Sequence, residues 1–217
     1  TVGGMDITEL CFDNLNEESD LEFLHHHDCG SSTNFMAQHF GIFTEVTTLS
    51  TACSSAANAI MFGARLLKHG YADIVVAGGT EPHVYLTGYG NACDAFHQTA
   101  SSENGEGAYL AMKEALDMAQ VNPDEIQYVN AHGTGTPNND QSESVSLQRL
   151  FGKNMPLVSS TKSFTGHTTS ASGGIEAVIC ILAMQNHFVP ANIGWKNQME
   201  TGITPTLGVE NIALKHV

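Results

Sequence analysis

What most restricts the fold is the alternation of β-branched runs with an apolar-periodic helix around residues 49–70, LSTACSSAANAIMFGARLLKHG. A β-branched run over 44–49 precedes it, and the apolar run IVVA ahead of Gly78 and Gly79 follows. Between them Ala56, Ala57, Ile60, Met61, Ala64 and Leu67 recur at helical spacing. Strand, helix and strand in this order predict a βαβ unit, with parallel strands covered on both faces. A second set follows. Residues 106–120 read as an amphipathic helix closed by Asn122 and Pro123, and 126–132 (IQYVNAH) as a strand. A helix is then expected from about Ser142 to Phe151, a strand over 156–162 (PLVSSTK), and a largely apolar helix over 173–186. The pattern is α/β, with two similar halves, each a sheet covered by helices.

Within this frame Cys53 stands where small hydroxyl residues turn the chain from a strand end into a helix. Backbone N–H groups and the dipole at a helix N-terminus favour an anion, so the position suits a thiolate, which is the nucleophilic form of cysteine. The five cysteines, Cys11, Cys29, Cys53, Cys93 and Cys180, are scattered, odd in number and without a CxxC pair, so neither a disulfide framework nor a zinc ribbon is expected. His25, His26, His27 and Asp28 are adjacent rather than spaced one helical turn apart, and no metal site is expected there.

Charge removes other classes. With 8 Lys and Arg against 23 Asp and Glu, the formal charge of −15 leaves no basic stripe to displace counterions, which excludes sequence-independent nucleic-acid binding. No apolar run approaches the roughly 20 residues of a membrane helix, and the first residues lack a signal pattern, so a cytoplasmic protein is expected. The 217 residues at 41% hydrophobic content can bury a substantial core.

Two further stretches place histidines beside hydroxyl-rich turns. In VNAHGTGTPNND, His132 ends a strand and the Gly133, Gly135 and Pro137 turn offers Thr134 and Thr136 to a ligand. In STKSFTGHTTSASGGIE, Lys162 and His167 lie at the close of a strand and in the following loop, with Glu176 in the helix beyond. Each histidine alone is more often structural. Together with a cysteine at a helix start they supply a nucleophile and two proton donors or acceptors.

TACSS, NAHGTGTPNND, STKSFTGH and GGIE, in this order and together with GYGNACDAFHQTASSENGEG, closely resemble the β-ketoacyl-acyl carrier protein synthases, the condensing enzymes of fatty acid and polyketide synthesis. The resemblance covers nearly all of the chain. It implies a thiolase-like fold, layered αβαβα with two similar halves, divided here at approximately 1–86 and 87–217. It implies that Cys53 accepts an acyl group from the carrier's phosphopantetheine thioester, and that His132 and His167 assist decarboxylation of the malonyl thioester. Lys162 and Glu176 would hold the charge and hydrogen bonding of the cluster, and Thr134, Thr136 and Thr99 the pantetheine arm. No cofactor and no metal are implied. The partners implied are acyl carrier protein and a second subunit, as a homodimer or as a heterodimer with a related chain.

The chain departs from the family pattern in several places. TVGG begins where the family has further chain, the GFGG-type loop is not found before LKHV, and a segment with PFD-like and GEGA-like motifs is not found between Tyr85 and Gly88. One incomplete ketosynthase domain over 1–217, with segments missing before 1, near 86–88 and after 217, is the expectation. TTSASGG after His167 replaces a Gly-Ala-Ala-Gly-like run, placing Ser170 and Ser172 near the cluster. Carrier proteins are acidic, so docking is expected on missing segments or on Arg65, Lys68 and Lys113. Rival readings are a coenzyme A-dependent thiolase-like synthase, a non-catalytic chain-length-factor-like subunit, which would usually lack the cysteine, and a Cys-His hydrolase, which has no use for a second histidine with Lys162.

Overall fold

Two short parallel strands with a helix between them, within residues 128–159, organise the fold around the site. The computed structural model describes residues 34, 37–39, 41, 47–49, 51–71, 84–93, 96, 101–200 and 202–217. The chain divides into two compact units, residues 1–75 with 168–174, and residues 76–167 with 175–217.

In the second unit, β1 (Tyr128–Asn130) pairs in parallel with β2 (Leu157–Ser159), Val129 opposite Val158. Helix α3 (Pro137–Phe151) makes the crossover between them. This is the expected βαβ unit, with shorter strands than the apolar runs suggested. Side chains alternate across the pair. Tyr128 and Leu157 pack with Cys180, Ala183 and Met184 of α5 (Ser172–Asn186), and with Val189 and Leu214. Val129, Ala131 and Val158 pack on the opposite side with Leu147 and Phe151 of α3 and Met112 of α2 (Glu106–Ala119). The sheet is therefore a layer between helices, and each helix is held by apolar burial rather than by propensity alone. Tyr128 Oη and Ser159 Oγ satisfy each other at 3.0 Å inside this core, and burial raises the tyrosine pKa well above its usual value.

Helix α2 is built from strong helix formers and closes at Gln120, whose φ of 56° is left-handed, with Val121 N–H donating to the Leu116 carbonyl at 3.2 Å. Asn122 and Pro123 do not cap this helix. They open a 3-10 turn, Pro123–Glu125, in which the Glu125 carboxylate accepts the Asn122 backbone and side-chain N–H groups. Gly88 and Gly90 lie against α2; a Cβ on Gly90 would stand 1.9 Å from the Ala111 carbonyl oxygen. Arg149 of α3 clasps α2 by pairing with Glu106 at 2.9 Å and lying 4.2 Å over the Tyr109 ring.

Beyond α5, β3 (Phe188–Val189) pairs antiparallel with β4 (Glu210–Asn211). Residues 213–216 are fastened to the entry of β1. Gln127 donates its side-chain N–H to the Ala213 carbonyl at 3.0 Å and its backbone N–H to the His216 carbonyl at 3.1 Å.

In the first unit, a 3-10 turn (Ala52–Ser54) leads into α1 (Ser55–Lys68). Residues 37–39 are helical, and Gly41 turns at φ 66°. Residues 47–49 form no strand, and the expected strand around 72–79 lies outside the described residues, as do 44–46. A second 3-10 turn, Thr169–Ala171, belongs to this unit, and Gly173 lies so near α1 that its Cβ would stand 3.2 Å from Ala57 Cβ. Among the described residues no helix is long and apolar enough to cross a membrane.

Candidate active site

The turn after β1 brings His132 out of the sheet. Two side chains fix it there. The Glu143 carboxylate, on the second turn of α3, accepts the N–H of His132 at 2.7 Å and of Gly133 at 2.8 Å. Its remaining capacity goes to the Asn139 amide at 3.1 Å. Ser160 Oγ, beyond β2, donates to the Gly133 carbonyl at 3.2 Å. Gly133 itself has φ 46°, and a Cβ there would stand 2.3 Å from Ser160 Cβ, so only glycine fits both the conformation and the approach.

The His132 and His167 rings meet edge to face, centroids 5.2 Å apart and planes at 84°. Burial first, and then the positive charges of Lys162 and His167, lower the His132 pKa to about 4, so its imidazole is neutral at pH 7. Lys162 is buried, at 8% exposure, and its ammonium pairs with the Glu176 carboxylate. Burial pushes the Glu176 carboxyl up, opposed by the hydrogen bond and charge of Lys162. One buried ion pair, one neutral imidazole and one exposed imidazole thus share a small volume. A neutral imidazole N–H in such a place suits developing negative charge on an oxygen.

The sequence matches the model of the β-ketoacyl synthase C-terminal domain over residues 83–196, more than half of the chain, and that of the β-ketoacyl synthase N-terminal domain over residues 16–109. The chain belongs to the β-ketoacyl synthase family. It is 41% identical over 127 residues to 3-oxoacyl-[acyl-carrier-protein] synthase 2 of Vibrio cholerae, covering 57% of this chain and 31% of that protein. To the protein of the same name from Staphylococcus aureus it is 40% identical over 133 residues, covering 60% and 32%. The chain thus spans about a third of the length of these curated relatives. Among solved structures, a ketosynthase from Xenorhabdus doucetiae in complex with its chain length factor matches with a TM-score of 0.74 at 32% identity, over 87% of this chain and 59% of that one. A β-ketoacyl synthase from Burkholderia phymatum matches with a TM-score of 0.73 at 22% identity, over 84% and 60%. The fold is the thiolase-like fold of these ketosynthases.

On this ketosynthase scaffold, His132, His167, Lys162 and Glu176 come together in the second unit. Lys162 does not end a strand as expected. It opens the one-turn helix α4 (Lys162–Thr165) after β2. Thr134 and Thr136 hydroxyls lie 3.1 Å apart, and Thr136 caps α3 by accepting the Asn139 N–H at 3.3 Å, with Pro137 at the first helical position. Helix α3 therefore starts five residues before the expected Ser142, because Thr136-Pro137 rather than the apolar periodicity marks its start. Thr99 lies outside the described residues; Asn138 binds nearby Ser101 through both backbone groups, accepting its N–H at 3.1 Å and donating to its carbonyl at 2.9 Å. Cys53, half-buried in the first unit, sits in the 3-10 turn rather than in the α-helix, two residues before α1 begins. The Thr169–Ala171 turn is packed against that cysteine-bearing turn, so the TTSASGG departure borders it within the first unit.

Sequence reasoning missed Glu143, Ser160 and Asn192, which orient the loops of this site. Ser160 N–H donates to Asn192 Oδ1 at 2.9 Å. The signal for Glu143 was available in the Thr136-Pro137 start, since a helix from Pro137 places an acid in its second turn beneath the His132 loop.

Proposed function

We propose that the chain carries the condensing centre of a 3-oxoacyl-[acyl-carrier-protein] synthase. Cys53 thiolate attacks the acyl thioester of a carrier protein; the carbon–sulfur bond to the carrier breaks and the carrier thiol leaves. A malonyl thioester then loses carbon dioxide, and the enolate oxygen is held by N–H groups of His132 and His167. The enolate carbon attacks the acyl-enzyme carbonyl, a carbon–carbon bond forms, the bond to Cys53 breaks, and a 3-oxoacyl thioester is released. Lys162 with Glu176 fixes the electrostatics around the histidines, while Thr134, Thr136 and Thr99 hold the pantetheine arm. The observation that carries this reading is the neutral His132 edge-on to His167 beside the buried Lys162–Glu176 pair, an arrangement suited to an oxyanion and superfluous in a simple thiol hydrolase.

The partners in this reading are acyl carrier protein and a second subunit in the cytoplasm, either a copy of this chain or a related one. The similar ketosynthase from Xenorhabdus doucetiae was solved with a chain length factor, which supports the related-subunit form. The retained Cys53 disfavours a purely non-catalytic subunit, and the GTGTP turn favours a carrier over coenzyme A. Intact-mass analysis after incubation with acyl-carrier or acyl-coenzyme A tests both points. An acyl adduct from the carrier, lost in Cys53→Ala, is expected; no adduct from any donor would put the scaffold reading ahead.

A further inference from the structure

Strand β2 meets another strand on one edge only. Ser159 faces β1, and its carbonyl accepts the Ala131 N–H at 2.9 Å, so the neighbouring Val158 and Ser160 face the opposite edge. Among the described residues no strand lies along that edge. Its backbone groups are taken up singly instead. The Val158 carbonyl accepts the Thr206 N–H at 2.7 Å, and the Ser160 N–H donates to Asn192 Oδ1 at 2.9 Å. The two holders are joined to each other, because Asn192 N–H donates to the Thr206 carbonyl at 2.7 Å. The side-chain carbonyl of Asn192 thus stands where the backbone carbonyl of a further strand would otherwise be needed.

The residue held in this way is a junction. Ser160 is buried, and its hydroxyl proton is shared between the Gly133 carbonyl at 3.2 Å and the His132 carbonyl at 3.4 Å. The same oxygen accepts the Lys162 N–H at 3.4 Å. One side chain therefore reaches both segments that carry the site, the His132 loop and the turn α4 that opens at Lys162. There is no slack between them. The left-handed Gly133 lies so close that a Cβ on it would meet Ser160 Cβ, so a shift of Ser160 passes to the His132 loop rather than being absorbed. Without Asn192, the Ser160 N–H is left as a part-buried donor lacking its acceptor, and the peptide is free to turn toward another.

We propose that Asn192 is a positioning residue of this site, holding Ser160 so that the His132 loop and the Lys162 turn keep the spacing that decarboxylation requires. The inference rests on the condensing function proposed above. The full chain, Asn192→Ala and Asn192→Asp are compared in malonyl-carrier decarboxylation, read as carbon dioxide release, and in amide hydrogen exchange resolved by NMR. Asn192→Ala is expected to lower kcat about ten- to a hundredfold, the scale of a displaced catalytic group, with KM held within about twofold. In that variant the Ser160 N–H exchanges faster while the Ala131 N–H, bonded within the β1–β2 ladder, keeps its protection. General loosening of the unit would expose both and overturns the local role. Asn192→Asp, with an acceptor at the same reach, is expected to recover most of kcat and the Ser160 protection. Asn192 also borders the cavity beside His167, so a rise in KM at unchanged kcat makes it a ligand contact and overturns the proposal. An equal loss of kcat in the alanine and aspartate variants overturns it too. Asn192→Leu, which has the bulk of asparagine and no acceptor, stands in where Asn192→Ala does not fold, and parent-level kcat there is contrary. In the unaltered chain, a Ser160 N–H that exchanges as an unbonded amide overturns the tie without any variant. Failure of Cys53 to acylate from any carrier thioester, with Ser160 still protected, is the separate result that removes the function on which the inference rests.

Discussion

His132 ties the site's chemistry to pH. Its pKa of about 4 in the folded chain lies below the 6.5 of an ordinary imidazole, chiefly through burial and the Lys162 charge. Between these values the unfolded chain binds a proton that the folded chain refuses. Stability from this group is therefore full above about pH 6.5 and falls as the pH drops toward 4. Urea unfolding at pH 7 and pH 5 should show this loss, and His132→Gln should reduce it. Nitrogen NMR at pH 5.5 should find the His132 ring still neutral; a protonated ring at that pH would contradict the burial argument. His132→Ala and His167→Ala are each expected to leave Cys53 acylation intact while slowing malonyl decarboxylation by about 10²- to 10⁴-fold, read as carbon dioxide release. Glu143 touches no substrate in this account but holds the backbone of His132. Glu143→Ala strands two N–H donors and should cost about 1–3 kcal/mol of stability, measured by denaturant midpoint, with a fall in decarboxylation kcat larger than any change in KM.

The His132 loop and helix α3 form one device, because Thr136 ends the loop and starts the helix. Thr136→Ala should lower stability by about 1 kcal/mol through the lost cap. Gly133→Ala should cost more, since the new methyl group meets Ser160 and the backbone is left-handed; pairing it with Ser160→Gly should recover part of the loss in the same unfolding assay. These two positions also show where sequence was readable. Helix α2 was legible because Ala, Leu, Met, Glu and Lys favour helix and mark one apolar face. Helix α3 starts earlier than its periodicity predicts, because the Thr-Pro cap outweighs the weak helix formers Asn138, Asn139, Asp140 and Ser142. β-Branching over 47–49 predicts a strand that does not form, because it reports fit to a half-buried sheet and not pairing itself. His132 and His167 are 35 positions apart, so periodicity could place each on a loop but only the family motif joined them. Glu143 works through the backbone N–H groups it accepts, which no residue pattern announces.

Across the molecule, the charge of −15 sets a condition on any acidic carrier partner. Arg65 and Lys68 end α1, Lys113 lies on α2, and all three are exposed. Carrier capture through them should weaken steeply with ionic strength, and Lys113→Glu or Lys68→Glu should weaken it further at low salt. Surface plasmon resonance across a salt series decides this, with salt-insensitive capture counting against electrostatic docking. A different constraint arises from Gln127, whose side chain reaches Ala213 across 86 positions of sequence. The entry of β1 is thus completed by residues synthesised long after it. Loop closure over such a span is slow compared with forming α2 or α3. While the chain emerges from the ribosome, the entry of β1 stays unfastened until residues 213–216 are made, whereas the His132 loop at the other end of that strand has its holders, Glu143 and Ser160, as soon as β2 is complete.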